Sequence, residues 1–358
     1  SREGALGDTI LLIPALRELK RTYPSAKMTF LATAVNYEAA KACPYLDEVI
    51  KFEIKKAFNP FYLWRLLAGL RKLKCSHAID ADQWLRVSAL LAFFSGAPKR
   101  IGFQTPQQGK DGLFTDKIPY LKKRHERDAF LDLVLKCGAT VQNRHLEFWL
   151  KEGEKKEAKK KLQASGIGPS DPYMVIHPEV PPHRRQKAWP EEKFVALIEK
   201  LLQASGLKLV VTGTSEYSAL KNRLPAWCRQ EQRLVFLPKL ELGVYAAVLC
   251  GAKMLLCHNT GIMHLAAALR VPLLALHGPI ASQKWGPLGE NSRIIRSSLD
   301  CAPCIYLGFE YSCAKNLCMQ AISPEQVLLQ IWLMQKEFFQ EKKPSAETEG
   351  GRVKVLAE

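Results

Sequence analysis

No uninterrupted apolar run in this 358-residue chain approaches the ~18 residues of a membrane-spanning helix. The N-terminus of this sequence has no basic stretch followed by an apolar one, the pattern of a secretory leader, and a cytoplasmic protein is predicted. Self-similarity at a fixed period is also missing, which excludes solenoids and propellers. Recognition-helix, zinc-finger and aromatic-interleaved single-strand signatures are missing too, which argues against nucleic acid as a partner. Acidic residues are the scarce charge: 35 Asp and Glu stand against 52 Lys and Arg, a net +17. Such a balance draws anionic partners, whether nucleic acid, an anionic leaflet or a phosphorylated glycolipid, because all three use the same long-range attraction. Basic clusters fall at Lys55-Lys56, Arg71-Lys72, Lys122-Lys123-Arg124 and Arg184-Arg185, while Lys155 to Lys161 reads as a solvated helix face.

What is present is the composition of a globular protein, 47% hydrophobic and 24% charged, with enough length for two domains. Residues 8–23 read as a helix with Asp8 at its start and Pro14 inside it. Short strands then alternate with helices: strands at 28–31, 48–52 and 77–80, a helix at 88–94, and a turn into a strand at 96–103. A charged helix followed by Ala164-Ser165-Gly166-Ile167-Gly168-Pro169 has nothing to bury, which places a domain boundary at 165/166. A second alternation follows, with strands at 173–177, 208–212, 233–237 and 254 onward, and helices at 191–203, 215–223 and 242–250. Alternation of this kind predicts parallel sheets with crossover helices, an α/β architecture in each half. A helix is expected at 324–340, and the polar residues 341–358 are expected to be disordered.

The most informative segment begins with Met254-Leu255-Leu256-Cys257. This apolar run halts at His258-Asn259-Thr260-Gly261 and restarts as the Ala-rich stretch Ile262-Met263-His264-Leu265-Ala266-Ala267-Ala268. A strand, a polar turn and a helix N-terminus follow from that pattern. Gly261 lets a ligand approach the backbone, and the first helical N–H groups carry partial positive charge, so an anion such as a diphosphate is expected there. The plain alternative is the capped corner that any α/β protein needs. Downstream, Val271-Pro272-Leu273-Leu274-Ala275-Leu276-His277 reads as a second buried strand ending in Gly278-Pro279, followed by Trp285-Gly286-Pro287.

Together with Gly7-Asp8-Thr9-Ile10-Leu11-Leu12-Ile13-Pro14-Ala15-Leu16, these segments resemble the ADP-heptose:lipopolysaccharide heptosyltransferases, glycosyltransferase family 9. That resemblance runs through nearly the whole chain. It implies the GT-B fold: an acceptor-binding Rossmann-like domain at 1–165 and a nucleotide-sugar-binding one at 166–323, facing each other across a cleft, with the C-terminal helix crossing back to the first. In this family a first β-strand precedes the Gly-Asp turn, so that strand is expected to be missing from a sequence that opens at Ser1. The implied activity is inverting and metal-independent, with no catalytic cofactor. Heptose would move from ADP-L-glycero-β-D-manno-heptose onto Kdo-lipid A or heptosyl-Kdo-lipid A at the inner face of the inner membrane.

The resemblance also assigns residues. Asp8 is the implied base for the acceptor hydroxyl, with a helix N-cap as its plainer role. Lys187, just before a helix start, is the implied diphosphate-binding cation, and a surface lysine is the alternative. Thr260, Gly261 and His264 complete the donor site, with a packing histidine as the alternative for His264. His177 and Glu179 end a strand and line it, and Glu216 reaches toward the ribose, with a first-turn helix carboxylate as its plainer role. Asn259 departs from the family, whose members mostly carry Asp there; Asn keeps an acceptor, adds a donor and loses the charge. The rival enzymes are a GT-B transferase for another nucleotide sugar and a sugar 2-epimerase. From another class, the net charge permits a basic nucleic-acid-binding protein with a degenerate sugar site.

Two further motifs need weighing. Asp80-Ala81-Asp82 has the form by which some glycosyltransferases hold Mn²⁺ or Mg²⁺, but a three-residue match arises easily by chance and this one ends a strand in the acceptor half. Cys301, Cys304, Cys313 and Cys318 lie within one loop-rich stretch, 301–318. In a reducing compartment that spacing favours a structural Zn or Fe over disulfides, with free thiols or a redox pair as alternatives.

Overall fold

The computed structural model describes residues 6–213, 218–307, 310, 313 and 315–339. Glu216, the residues ahead of the Gly-Asp turn and the 341–358 tail lie outside them. The chain divides into two compact units, Ser1–Leu146 and Glu147–Glu358.

The first unit runs α1 (Leu6–Thr22), β1 (Thr29–Ala32), α2 (Tyr37–Lys41), β2 (Glu48–Lys51), α3 (Pro60–Lys72), β3 (His77–Asp80), α4 (Arg86–Phe94), β4 (Lys99–Gln104), β5 (Asp116–Pro119) and α5 (Glu126–Lys136). Its strands are parallel and fall into two sheets, β1-β2 and β3-β4-β5. Helix α1 buries Ile10, Leu11, Ile13 and Ala15 and packs against α5, which buries Phe130, Leu131 and Leu133. The inner edges β1 and β3 both line a cavity of about 300 Å³, and Asp8 reaches the same cavity from the first turn of α1.

The second unit runs α6 (Glu152–Ala164), β6 (Tyr173–His177), α7 (Glu191–Ala204), β7 (Lys208–Val211), α8 (Ser218–Arg223), α9 (Ala226–Gln230), β8 (Leu234–Phe236), α10 (Leu242–Gly251), β9 (Met254–His258), α11 (Gly261–Ala268), β10 (Leu273–His277), α12 (Ser282–Trp285), β11 (Ser292–Arg296), α13 (Leu317–Gln320) and α14 (Pro324–Phe339). A single parallel sheet has the order β11-β10-β9-β6-β7-β8. Its central strands β6, β9 and β10 are buried at every residue, which is why they read as continuous apolar runs and not as alternating ones. Helix α7 lays Phe194, Leu197, Ile198, Leu201 and Leu202 on the sheet, the spacing of one helical face.

One expectation about organisation changes. The boundary expected at 165/166 lies instead at 146/147, because the charged helix α6 packs on α10. One small side chain, Ala158, supplies its buried contact, and Gly243 of α10 gives room: a Cβ there would come within 2.0 Å of a Glu154 carboxylate oxygen. The C-terminal helix α14 sinks Val327, Leu328, Ile331 and Met334 into the core of the second unit beside α7. An amphipathic pattern announces a helix without naming the surface its apolar stripe will cover.

Candidate functional site

In an open parallel sheet, ligands bind beyond the carboxyl ends of the strands, where helix N-termini point. Here three adjacent strands, β6, β9 and β10, each end in histidine: His177, His258 and His277. Burial pushes the imidazoles down to about 4 for His177 and about 3 for the other two, so all three are neutral near pH 7. Each is tied in place. His177 Nδ1 lies 3.2 Å from the Thr212 hydroxyl and 3.3 Å from that of Tyr245, and these two hydroxyls are 3.0 Å apart. His258 Nε2 accepts the Trp189 backbone N–H at 2.8 Å, and His277 Nε2 is 3.4 Å from the Asn259 amide nitrogen.

Past β9 the chain turns through Asn259 and Thr260 into α11. Thr260 caps this helix with extended backbone, yet its hydroxyl makes no cap bond; it is buried and has no hydrogen-bond partner among the described residues. His264 is buried on α11, four residues past Thr260. Lys187 closes a 3₁₀ segment, Pro182–Lys187, and brings its ammonium 3.4 Å from the Asn259 carbonyl oxygen and 3.5 Å from its side-chain oxygen. The segment is anchored from behind. The Trp189 indole, 2% exposed, donates to the Ile322 carbonyl at 3.0 Å and packs edge-on against Phe194. Thus Lys187, Asn259, Thr260 and the first turn of α11 gather at one place, with Glu179 on the loop after β6 close enough to act on His177 electrostatically. A cation, a helix N-terminus and an unused hydroxyl together suit a diphosphate.

Asn259 also acquires a reason. Its amide nitrogen donates to the Trp285 carbonyl at 2.7 Å, leaving its oxygen for Lys187. A carboxylate here would set oxygen against oxygen. Asn259→Asp is therefore expected to cost about 1–3 kcal/mol, the penalty for a lost buried hydrogen bond. Urea unfolding checks this, and an unchanged midpoint would mean that the amide does not hold the turn.

Several site residues carry no motif. Gln186, beside Lys187, has a buried amide nitrogen without a partner among the described residues. Beyond His277, a cavity of about 590 Å³ is lined by Gly278, Ile280, Arg296, Ser297, Ser298 and Asp300. His258 and His277 look in sequence like strand ends, and only the β10-β9-β6 order sets all three histidines side by side.

In the first unit, Asp8 is half-buried in the first turn of α1, where a carboxylate suits the helix dipole, and shares its cavity with Asn36, Asp80 and Asp82. The Asp80-Ala81-Asp82 triplet serves the fold. Asp80 pairs with the fully buried ammonium of Lys110 at 3.1 Å, and burial pushes its carboxyl up to about 6 against the pull of that cation. Lys110 also donates to the Asp82 carbonyl, and the Asp82 carboxylate accepts the N–H groups of Trp84 and Leu85 at 2.7 and 2.6 Å, just ahead of α4.

The cysteine loop is held on the fold by backbone bonds and a small apolar cluster. Ile305 bridges to Ile280, its N–H and that of Cys304 bond to the Pro279 carbonyl, and Ile280, Trp285 and Ile305 form a small apolar cluster. Cys318 is buried in the main core, with Cys301 and Cys304 near enough to push its thiol up after burial does so. Cys313 is exposed, its thiol held low by backbone N–H groups, Lys315 first. Three thiols thus lie in one neighbourhood and the fourth faces solvent; among the described residues no group of three or more His, Cys, Asp or Glu is set to hold a metal ion.

Among curated relatives, lipopolysaccharide heptosyltransferase 1 of Pseudomonas aeruginosa is 25% identical, covering 93% of this chain and 96% of its own. Among solved structures, a glycosyltransferase family 9 protein from Veillonella parvula superposes with a TM-score of 0.76 at 21% identity, covering 93% of this chain and 94% of its own. An E. coli heptosyltransferase with ADP gives 0.69 at 21% identity, with 92% and 97% covered. The shared fold is GT-B, two Rossmann-like α/β units. The family model for glycosyltransferase family 9 (heptosyltransferase) matches residues 63–314, and with most of its length so matched, the chain belongs to that family and is a glycosyltransferase.

Proposed function

We propose that the chain transfers heptose from ADP-L-glycero-β-D-manno-heptose, with inversion, to a lipopolysaccharide inner-core acceptor of the Kdo-lipid A or heptosyl-Kdo-lipid A kind. The observation that carries this reading is the meeting of Lys187, Asn259 and the unpartnered Thr260 hydroxyl at the N-terminus of α11. In the proposed reaction the acceptor oxygen attacks the anomeric carbon while its proton passes to the Asp8 carboxylate. As the bond from that carbon to the diphosphate breaks, the charge growing on ADP is taken up by Lys187, the Thr260 hydroxyl and the α11 N–H groups. His177, Glu179, Gly261 and His264 shape the donor side. A cation and a helix terminus can do here what a divalent metal does elsewhere, and the proposed chemistry needs none. The acceptor is lipid-anchored, so the protein would work at the anionic inner leaflet, toward which its net +17 is attractive.

Incubation with a panel of ADP-, UDP- and GDP-sugars and defined Kdo-lipid A acceptors, read by mass, tests donor and acceptor together. Turnover of a UDP-sugar without acceptor would instead indicate an epimerase, and transfer from UDP or GDP donors another sugar specificity.

For the quartet we propose a structural Zn or Fe on Cys301, Cys304 and Cys318, with Cys313 drawn in as the fourth thiolate. The support is the spacing of the four thiols within 301–318; among the described residues they are not set around an ion, so binding would have to draw them together. Protein purified without added metal should then hold about one metal ion per chain, and Cys304→Ser should lose both that ion and thermal stability. Four freely titratable thiols with unchanged melting of the variant would dismiss the site.

A further inference from the structure

Between Glu53 and Asp80 the chain carries Lys55, Lys56, Arg65, Arg71, Lys72 and Lys74 and not one acidic residue. Helix α3 lies in this stretch and is well formed: the Asn59 side chain caps it, accepting the N–H groups of Phe61 and Tyr62 at 3.0 and 3.1 Å. Yet it buries no residue. Phe58, Phe61 and Trp64 are 90%, 68% and 66% exposed, and the rings of Phe61 and Trp64 stack at 6.0 Å. Positions 61, 64, 65, 68, 71 and 72 follow helical spacing, so the aromatic pair and the exposed Arg65, Arg71 and Lys72 share one outer face. Its inner side supplies Leu70 to the cavity that holds Asp8. Next to it, α4 shows Leu90, Phe93 and Phe94 to solvent, joined to α3 where the Arg71 guanidinium donates to the Phe94 carbonyl at 3.0 Å.

An exposed aromatic patch ringed by charge of one sign is too costly in water to be an idle surface. We infer that this face of α3, extended by Phe58, Lys55 and the edge of α4, docks the protein on an anionic phospholipid surface. Aromatic rings take the boundary between headgroups and acyl chains, and Lys and Arg beside them meet the phosphates, the arrangement of a helix lying in the interface. Charge complementarity selects the occupant, since six cations without an acid in the run match a surface of one sign. Lys56 contributes least, being paired with Glu53 at 2.9 Å. The inference rests on the lipid-anchored acceptor proposed above and names the element that would bring the Asp8 unit to it.

Co-sedimentation with phosphatidylglycerol-containing vesicles tests the docking without any turnover. The full chain should bind them at low salt, release at high salt, and bind pure phosphatidylcholine far less. Arg65→Glu combined with Lys72→Glu should lower binding about 20-fold or more, at roughly 5-fold per cation removed. Phe61→Ser with Trp64→Ser should weaken it while leaving the salt dependence. Brominated phospholipid should quench wild-type tryptophan fluorescence, and Trp64→Phe should lose part of that quenching, a readout that survives if a double variant misfolds. Vesicle binding equal in wild type and variants, or tighter capture by single-stranded DNA that strips the protein from vesicles, would overturn the proposal. Transfer to a delipidated, water-soluble acceptor should stay unchanged in the charge variant; its loss would place this face in the reaction and also overturn the docking role. If transfer to Kdo acceptors fails while vesicle binding holds, the activity proposal falls and the docking surface stands.

Discussion

Asp8→Asn is expected to lower heptosyl transfer by about 10²-fold or more, the usual contribution of a positioned general base, while affinity for the ADP-sugar stays close to wild type. The amide keeps the shape of the carboxylate and still accepts hydrogen bonds at the first turn of α1, so folding should be spared. What it loses is the ability to take the acceptor proton. Product formation by mass and donor binding by calorimetry separate the two effects. Near-wild-type turnover in the variant would leave Asp8 with only its place at the positive end of the α1 dipole, and weakened donor binding would move it into nucleotide recognition.

Lys187→Ala should lower donor affinity and turnover together, because the lost cation acts on the diphosphate both before and as its charge grows. A charge-assisted hydrogen bond of about 2 kcal/mol corresponds to a roughly 30-fold fall in kcat/KM. Lys187 is half-buried and its contacts to the Asn259 oxygens are long, 3.4 and 3.5 Å, so melting should change little. Lys187→Arg keeps the charge but replaces a compact ammonium with a planar fork, and partial recovery is expected from it. Wild-type activity should meanwhile survive EDTA. Loss on chelation, with recovery on Mn²⁺ and the cysteine loop shown intact, would reopen the Asp80-Asp82 pair as a metal site; kinetics unaltered by Lys187→Ala would remove the lysine from the donor site.

Much of this was legible in the order of residues. Strands β6 and β9 and helices α7 and α14 stand where apolar runs and 3.6-residue spacing put them, since both patterns record burial directly. Helix α3 did not announce itself. Its aromatic side faces solvent, so apolar periodicity gives no core-facing stripe to read, and its cap at Asn59 is a single residue. The short edge strand β11 was likewise silent, being only half-buried along most of its length.

By itself the sequence determined the family likeness, the two α/β halves, the strand-turn-helix anion corner at 258–264 and the candidate roles of Asp8 and Lys187. These are local or strongly periodic features, written in the residues that form them. Tertiary structure alone decided that Lys187 meets Asn259 across 72 positions, that three strand-end histidines stand together neutral, that Asp80 is spent on Lys110, and that α6 and α14 belong to the second unit. Each of those depends on which distant surfaces pack together. A side chain's partner, and with it its charge state, is set by that packing.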